Sequence, residues 1–408
     1  MNDSRSFVGP ERKTRPKIRW LNRTVLGIGL ASLFSDWSHE IATAAMPAFL
    51  ATLGVSAAWL GLIEGVSDGF SSFAKMASGY YTDRLQRRKP IAVAGYVVTA
   101  VGTAALGLAT SAWHVLLARA GAWLGRGVRT PVRKALLAGS VDPAAYGRAF
   151  GLERMMDTLG AIVGPMSALL ILQASNQNYR LLFACTLLPG LLAAVVIAFL
   201  VAERQRTPVP HISFGERLRL LPGAYRRLLM AVGLFGAGDF AHTLLILLAT
   251  QKLAGPLGIT KAASVAVSLY VLHNIFYAGF SFIAGWLADR MPKNLLLAMG
   301  YGLAGAMALA IIFLPAGVWT FILIFVSGGI YVAIEETLED SLCAGLVEPS
   351  HHGMAFGLLA TVNGVGDLIS SVVVGVLWTA AGTTIAFAYS AALFFLGAFL
   401  VARLPVHK

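Results

Sequence analysis

Asp36, His39 and Glu40 stand at i, i+3 and i+4, a spacing that gathers two carboxylates and an imidazole on one helical face. The residues around them, 25–53, are otherwise mostly apolar. The same Asp-x-x-His pattern returns as Asp239 and His242 in a second apolar stretch. Groups of this kind can carry protons, bind a cationic solute or ligate a divalent metal. The metal alternative would use Asp36, His39, Asp239 and His242, since imidazole with carboxylate suits several divalent ions. Against it, the chain has no His-rich tract, and Cys185 and Cys343 lie far apart in apolar surroundings. A third alternative is a buried polar clasp satisfied by its own hydrogen bonds.

Further ionisable groups follow the same habit. Glu64 and Asp68 lie one turn apart, with Lys75 about two turns on along the same stripe. They are proton-carrier candidates, or they pair with Lys75. Arg126, Arg129, Arg133 and Lys134 form another stripe, with Arg126 the deepest and placed to meet an anionic solute or Asp36. Glu153 and Asp157 are one turn apart. His273 and Asn274 are candidates to hydrogen-bond a solute from the opposite half, with a purely structural histidine the alternative for His273. Placing an ionisable side chain at mid-membrane depth costs about 2.5 kcal/mol or more, so such groups face a cavity or a partner.

The elements that must hold them are membrane helices. The chain has 408 residues, of which 57% are hydrophobic and 13% charged, about half the charged fraction of a soluble domain. A span needs about 20 apolar residues. Twelve apolar blocks recur: 25–53, 59–81, 91–110, 113–137, 150–173, 181–201, 228–253, 262–288, 295–314, 319–346, 354–378 and 385–402. The first is too long for a signal-peptide core. The net charge of +12 does not indicate nucleic-acid binding, which needs a basic face on a folded domain. Basic residues instead mark one side of the membrane. They crowd the first 23 residues, the loop with Arg84, Arg87, Arg88 and Lys89, and the central stretch with Arg204, Arg206, Arg217, Arg219, Arg226 and Arg227. The loops at 54–58, 315–318 and 380–384 have none. Both termini are therefore expected in the cytoplasm. The expected organisation is a tail at 1–23, a six-helix bundle at 24–202, a linker at 203–227, a second bundle at 228–403 and a tail at 404–408.

The halves repeat. Gly79-Tyr-Tyr-Thr-Asp83-Arg84 returns as Gly285-Trp-Leu-Ala-Asp289-Arg290, Ala138-Gly-Ser-Val-Asp-Pro143 as Ala344-Gly-Leu-Val-Glu-Pro349, and Gly147-Arg-Ala-Phe-Gly-Leu152 as Gly353-Met-Ala-Phe-Gly-Leu358. All three pairs share an offset of 206. Six spans restore the starting side, so the halves are parallel repeats about an axis along the membrane normal.

Gly79-x-x-x-Asp83-Arg84-x-x-Arg87-Arg88-Lys89-Pro90 resembles the signature loop of the major facilitator superfamily, with Gln86 where that family usually has Gly. Asp289-Arg290 is its degenerate second copy. The resemblance implies an all-α membrane fold of twelve helices in two pseudo-symmetric bundles that rock about a central cavity. It also implies that Asp83 joins a network with a basic residue of the fourth span, here Arg133, and the start of the eleventh. Gly160-Ala-Ile-Val-Gly164-Pro165 resembles the fifth-span motif of the superfamily's antiporters, without the glycine pair that usually follows the proline.

At the offset of 206, Arg129 mirrors Glu335, Arg133 mirrors Glu339 and Lys134 mirrors Asp340. Opposite charges at mirrored positions suggest latches between the halves, with Asp83, Arg84, Asp289, Arg129, Arg133, Glu335, Glu339 and Asp340 as gating residues. No phosphate-cradling loop, His-Glu-x-x-His or Gly-x-Ser-x-Gly occurs, so ATP-driven pumping and enzyme activity are not expected. No cofactor is called for. The expectation is a monomeric secondary transporter in an inner or plasma membrane, proton-coupled and exporting a small molecule. Its transport groups would be Asp36, His39, Glu40, Glu64, Asp68, Arg126, Glu153, Asp157, Asp239, His242, His273 and Asn274. Metal or metal-chelate transport is the alternative.

Overall fold

The computed structural model describes residues 19–55, 57–203 and 213–405. Within them the chain forms fifteen α-helices. The expected basic residues Arg5, Arg12, Lys13, Arg15, Lys17, Arg204 and Arg206 lie outside the described residues.

The first half is built from α1 (Arg23–Thr52), α2 (Ala57–Thr82), α3 (Lys89–Ala105), α4 (Ala112–Ala138), α5 (Tyr146–Ala174) and the broken pair α6 (Tyr179–Cys185) and α7 (Leu187–Leu200). A short connecting helix, α8 (Phe214–Leu220), follows. The second half comprises the broken pair α9 (Gly223–Gly236) and α10 (His242–Leu257), then α11 (Ile259–Ala288), α12 (Lys293–Phe313), α13 (Val318–Leu346), α14 (His352–Ala381) and α15 (Thr383–Ala402). Counting each broken pair once gives twelve spans. Thus the seventh apolar block is two helices, interrupted at Ala237–Ala241 where Gly238 and Asp239 leave the helical path.

Local chemistry sets the ends. Asn22 caps α1, its side-chain oxygen accepting from the backbone N–H of Thr24 at 2.9 Å and of Val25 at 3.0 Å, which satisfies two of the first-turn donors. Gly258 and Gly382 turn the chain between α10 and α11 and between α14 and α15 with φ of 78° and 89°, angles that a side chain strains.

Eight helical segments are long and apolar enough to cross a membrane on composition alone. The four spans that fail this measure are α1, α2, α4 and α9 with α10. Three of those four carry the ionisable stripes, and the fourth is interrupted at Asp239. Outward faces bear exposed Leu169, Leu170, Phe199, Trp319 and Leu368, a surface suited to lipid rather than water.

Within the first half α1 packs on α5 and α7, and α4 packs on α2 and α3. The halves meet where α5 lies against α11 and where α14 lies against α2 and α4. These crossings are made by small residues. A Cβ on Gly79 would stand 2.3 Å from the carbonyl oxygen of Gly353, and one on Gly285 would stand 2.1 Å from that of Gly147. Gly79 and Gly285, and Gly147 and Gly353, are repeat mates, so one crossing is the image of the other.

Candidate functional site

Between the halves lies a cavity of about 220 Å³. Its walls come from α1 (Asp36), α2 (Lys75), α4 (Arg126, Arg129, Thr130, Arg133, Lys134), α5 (Arg154, Asp157), α13 (Glu336, Glu339, Asp340) and α14 (Ala360, Asn363, Gly364, Asp367). The α4 contribution is a single helical stripe, because i, i+3, i+4, i+7 and i+8 share a face. Only Ala360 and Gly364 lack a polar side chain. The charges are sorted by half. All six lining cations belong to the first half, whereas the second half supplies four carboxylates and no cation.

Ion pairs tie the two walls together. The Lys134 ammonium lies 2.7 Å from Asp340. Arg154 reaches Glu336 at 2.7 Å and Asp340 at 3.8 Å, while also meeting Asp157 at 3.2 Å. Within the first half, Arg133 pairs with Glu153 at 2.6 Å and Asp157 at 3.5 Å. Ser32 completes this group by donating to Glu153 at 2.8 Å. Arg126 stands 3.6 Å from Asp36, an ion-pair distance too long for a hydrogen bond. In the second half the Tyr277 hydroxyl donates to Glu336. Glu339 accepts from the Tyr301 hydroxyl and from Asn363 at 2.8 Å.

The residues expected to form a transport site are divided by the structure. Asp36, Arg126 and Asp157 line the cavity, and Glu153 backs it through Arg133. The others turn elsewhere. His39 is buried against Trp123, ring centroids 4.3 Å apart, beside Arg119 at 3.5 Å. Glu40 lies 3.6 Å from His39. Glu64 pairs with Arg119 at 3.1 Å, and Asp68 accepts from the Trp123 indole at 2.7 Å. Neither carboxylate therefore pairs with Lys75. Asp239 accepts from the Tyr331 hydroxyl at 2.9 Å within its own half. His242 and His273 pack ring to ring at 4.6 Å, and His273 faces the Phe325 carbonyl oxygen at 3.2 Å. Asn274 donates to the Tyr270 carbonyl one turn back on its own helix. The four-residue metal set is not assembled: no group of three or more His, Cys, Asp or Glu among the described residues is placed to hold a metal ion.

The gating expectations divide in the same way. Of the three mirrored pairs only Lys134–Asp340 meets. Arg133 is held by α5, and Arg129 stacks over the Tyr96 ring at 4.1 Å. Glu335 is buried outside the cavity lining. Arg84 stays with Tyr80 and Tyr81 of its own half. Arg133 is also not the partner of Asp83, which pairs with Arg88 of its own loop.

The start of the eleventh span does meet Asp83. Its carboxylate accepts the backbone N–H of Gly353 at 3.0 Å and of Met354 at 2.9 Å, at the first turn of α14. Asp289 repeats the arrangement on α5, accepting from Gly147 at 2.8 Å and Arg148 at 3.2 Å, with the Arg148 guanidinium at 2.6 Å. Each half thus supplies a carboxylate to the positive end of a helix in the other, where unpaired N–H groups favour an anion. Lys75, Arg154, Glu336 and Asp367 enter the site without having been expected there. Arg154 sits between Glu153 and Asp157 and is the repeat mate of Ala360, which also lines the cavity.

The family model described as Major Facilitator Superfamily matches residues 28–255 and again 228–408. The chain belongs to the major facilitator superfamily. Two successive matches to one model agree with the duplicated halves, and members of this superfamily are membrane transporters. The uncharacterized MFS-type transporter MJ1317 of Methanocaldococcus jannaschii is 27% identical over 367 residues, covering 90% of this chain and 91% of that protein. Multidrug resistance protein MdtH of Salmonella newport is 25% identical over 330 residues, 76% of each chain. Among solved structures, the human organic anion transporter MFSD10 (TETRAN) superposes with a TM-score of 0.77 at 16% identity, covering 93% of this chain and 99% of that one. The superfamily transporter FucP, in the outward conformation, gives 0.74 at 18% identity, covering 96% and 100%. At these identities the two structures speak to the fold.

Proposed function

We propose that this superfamily member is a proton-coupled secondary transporter that exports a small molecule by alternating access. The observation that carries the reading is the charged cavity between the halves, closed by helix crossings at the end bearing the Asp83 loop. Asp36 is assigned as the proton-carrying carboxylate. It faces the cavity, and its partner Arg126 stands at 3.6 Å without a hydrogen bond, so it can exchange partners without leaving a tightly bonded cation behind. Exchange of inward protons for outward solute requires the two to be bound in turn: the solute occupies the cavity while Asp36 is ionised, and protonation of Asp36 accompanies its release. Asp157 lines the same cavity but is held by two arginines, which makes it the more static acid.

Export draws support from the Salmonella multidrug relative and from the fifth-span glycines. A Cβ on Gly160 would stand 2.4 Å from the Leu33 carbonyl oxygen, and one on Gly164 would stand 2.4 Å from the Glu40 Cβ. The antiporter-like motif is therefore the surface on which α1, with Asp36, rides against α5. On this reading the basic loops mark the Asp83 end and both termini as cytoplasmic, which makes the helix crossings at that end the cytoplasmic seal. One chain completes the cavity, and the proposed working unit is a monomer in an inner or plasma membrane. No observation favours the metal alternative.

The test is flux in proteoliposomes under an imposed pH gradient, with a panel of small organic solutes. The expected result is gradient-driven movement that Asp36→Asn abolishes and Glu64→Gln, whose carboxylate is bound to Arg119, leaves largely intact. Flux indifferent to the gradient and to Asp36→Asn would refute the coupling.

A further inference from the structure

The ion pairs of the cavity leave specific charges over. Lys75 on α2 has no carboxylate within ion-pair distance among the described residues, and Asp367 on α14 has no cation. Their helices touch: the Thr361 hydroxyl of α14 reaches the Ser72 carbonyl of α2 at 3.4 Å. Even so, Lys75 and Asp367 do not pair, and both face the cavity. On the same wall as Lys75, Arg126 is held only loosely, at 3.6 Å from Asp36. Two further lining charges also lack an ion-pair partner, but Arg129 stacks on Tyr96 at 4.1 Å and Glu339 is hydrogen-bonded by Tyr301 and Asn363, which leaves Lys75 and the loosely held Arg126 on one side and Asp367 on the other.

Size and polarity narrow the occupant. A volume of about 220 Å³ is below the roughly 300–1,000 Å³ of pockets for drug-sized ligands. Such pockets are mainly apolar and aromatic, whereas this one has no aromatic residue and one apolar side chain, Ala360. A bulky lipophilic drug would strand the charges without water. A solute with one charge would satisfy one wall and leave the other exposed to an unmatched neighbour.

We infer that the cavity selects a small zwitterion, binding its anionic group between Lys75 and Arg126 and its cationic group at Asp367. The inference rests on the transport reading for its purpose but not for its test, which reads binding separately from coupling. Each single contact to a charged partner contributes about tenfold to a hundredfold in affinity.

The experiment uses the purified full chain and the ω-amino acids from glycine to 6-aminohexanoate, with hexanoate and hexylamine as one-charge counterparts. At least one member of the series is expected to bind tenfold or more tightly than either counterpart. Asp367→Asn should erase the advantage over hexanoate, and Lys75→Met should erase the advantage over hexylamine, with Lys75→Arg restoring it. Thermal unfolding of each variant separates a lost site from a lost fold. Binding by no member of the series overturns the inference. So does equal binding by a one-charge counterpart, or binding indifferent to both substitutions in folded protein. Flux measured alongside separates the two ideas. A zwitterion that binds and moves regardless of the pH gradient removes proton coupling and leaves the inference standing. Gradient-driven flux of one-charge solutes alone does the reverse.

Discussion

Lys134→Met removes the ammonium that lies 2.7 Å from Asp340 across the two halves. The side chains are 11% and 3% exposed, so water does little to replace the lost partner. Breaking a buried pair from one side costs about 3–5 kcal/mol. Arg154 remains at 3.8 Å from the other Asp340 oxygen, which favours the lower end, about 3 kcal/mol. That cost falls on the state in which the walls touch, and it changes the balance of sealed and open forms by about 150-fold. A chain sealed 100 to 1 would become nearly evenly divided. The assay is labelling of Ala360→Cys, at the cavity wall, by a membrane-impermeant thiol reagent applied from the Asp83 side. The background replaces Cys185 and Cys343. Labelling should accelerate about sixtyfold in Lys134→Met. It should fall back substantially when Asp340→Leu is added, because no charge is then left unmatched. Equal labelling in all three chains, or strictly additive effects of the two substitutions, would refute the latch.

Two other outcomes are expected. Gly285→Val would place a side chain into the Gly147 carbonyl, 2.1 Å from where its Cβ must lie; the sealed form should become inaccessible, so the same cysteine should label from the Asp83 side in any protein that still folds. Arg119→Met deletes the pair with Glu64 and the stack on Trp123 at 3.6 Å at a residue only 1% exposed. Because Glu64 is 34% exposed and water can take over its carboxylate, the loss should lower stability by about 1–3 kcal/mol in thermal unfolding, while the folded fraction keeps its solute preference.

The offset of 206 made the duplicated architecture legible, and it located the charge stripes of α4 and α13. It did not say which mirrored residues touch. Repeat mates meet only where they approach the pseudo-twofold axis, and Lys134 and Asp340 do so. Arg129 stacks on Tyr96 of its own half, Glu335 lies outside the cavity lining, and Arg133 is claimed by the carboxylates of α5. For the same reason Asp36 and Asp239, alike in pattern, differ in place: one faces the cavity, whereas the other sits at a helix break under Tyr331. Helical spacing also misled at Glu64 and Asp68. Their shared stripe with Lys75 is real, but Arg119 and Trp123 of α4 reach them first. Arg119 itself lacked a charged mate, its counterpart being Phe325, so symmetry gave no hint of it.

The reciprocal aspartates have a mechanical consequence. Asp83 grips the first turn of α14 while Asp289 grips that of α5, and the two grips lie on opposite sides of the axis. Undoing one alone would have to pivot the molecule about the other, shearing carbonyls that are already in glycine contact. On the transport reading, opening that end would require both grips to part, together with the glycine crossings beside them.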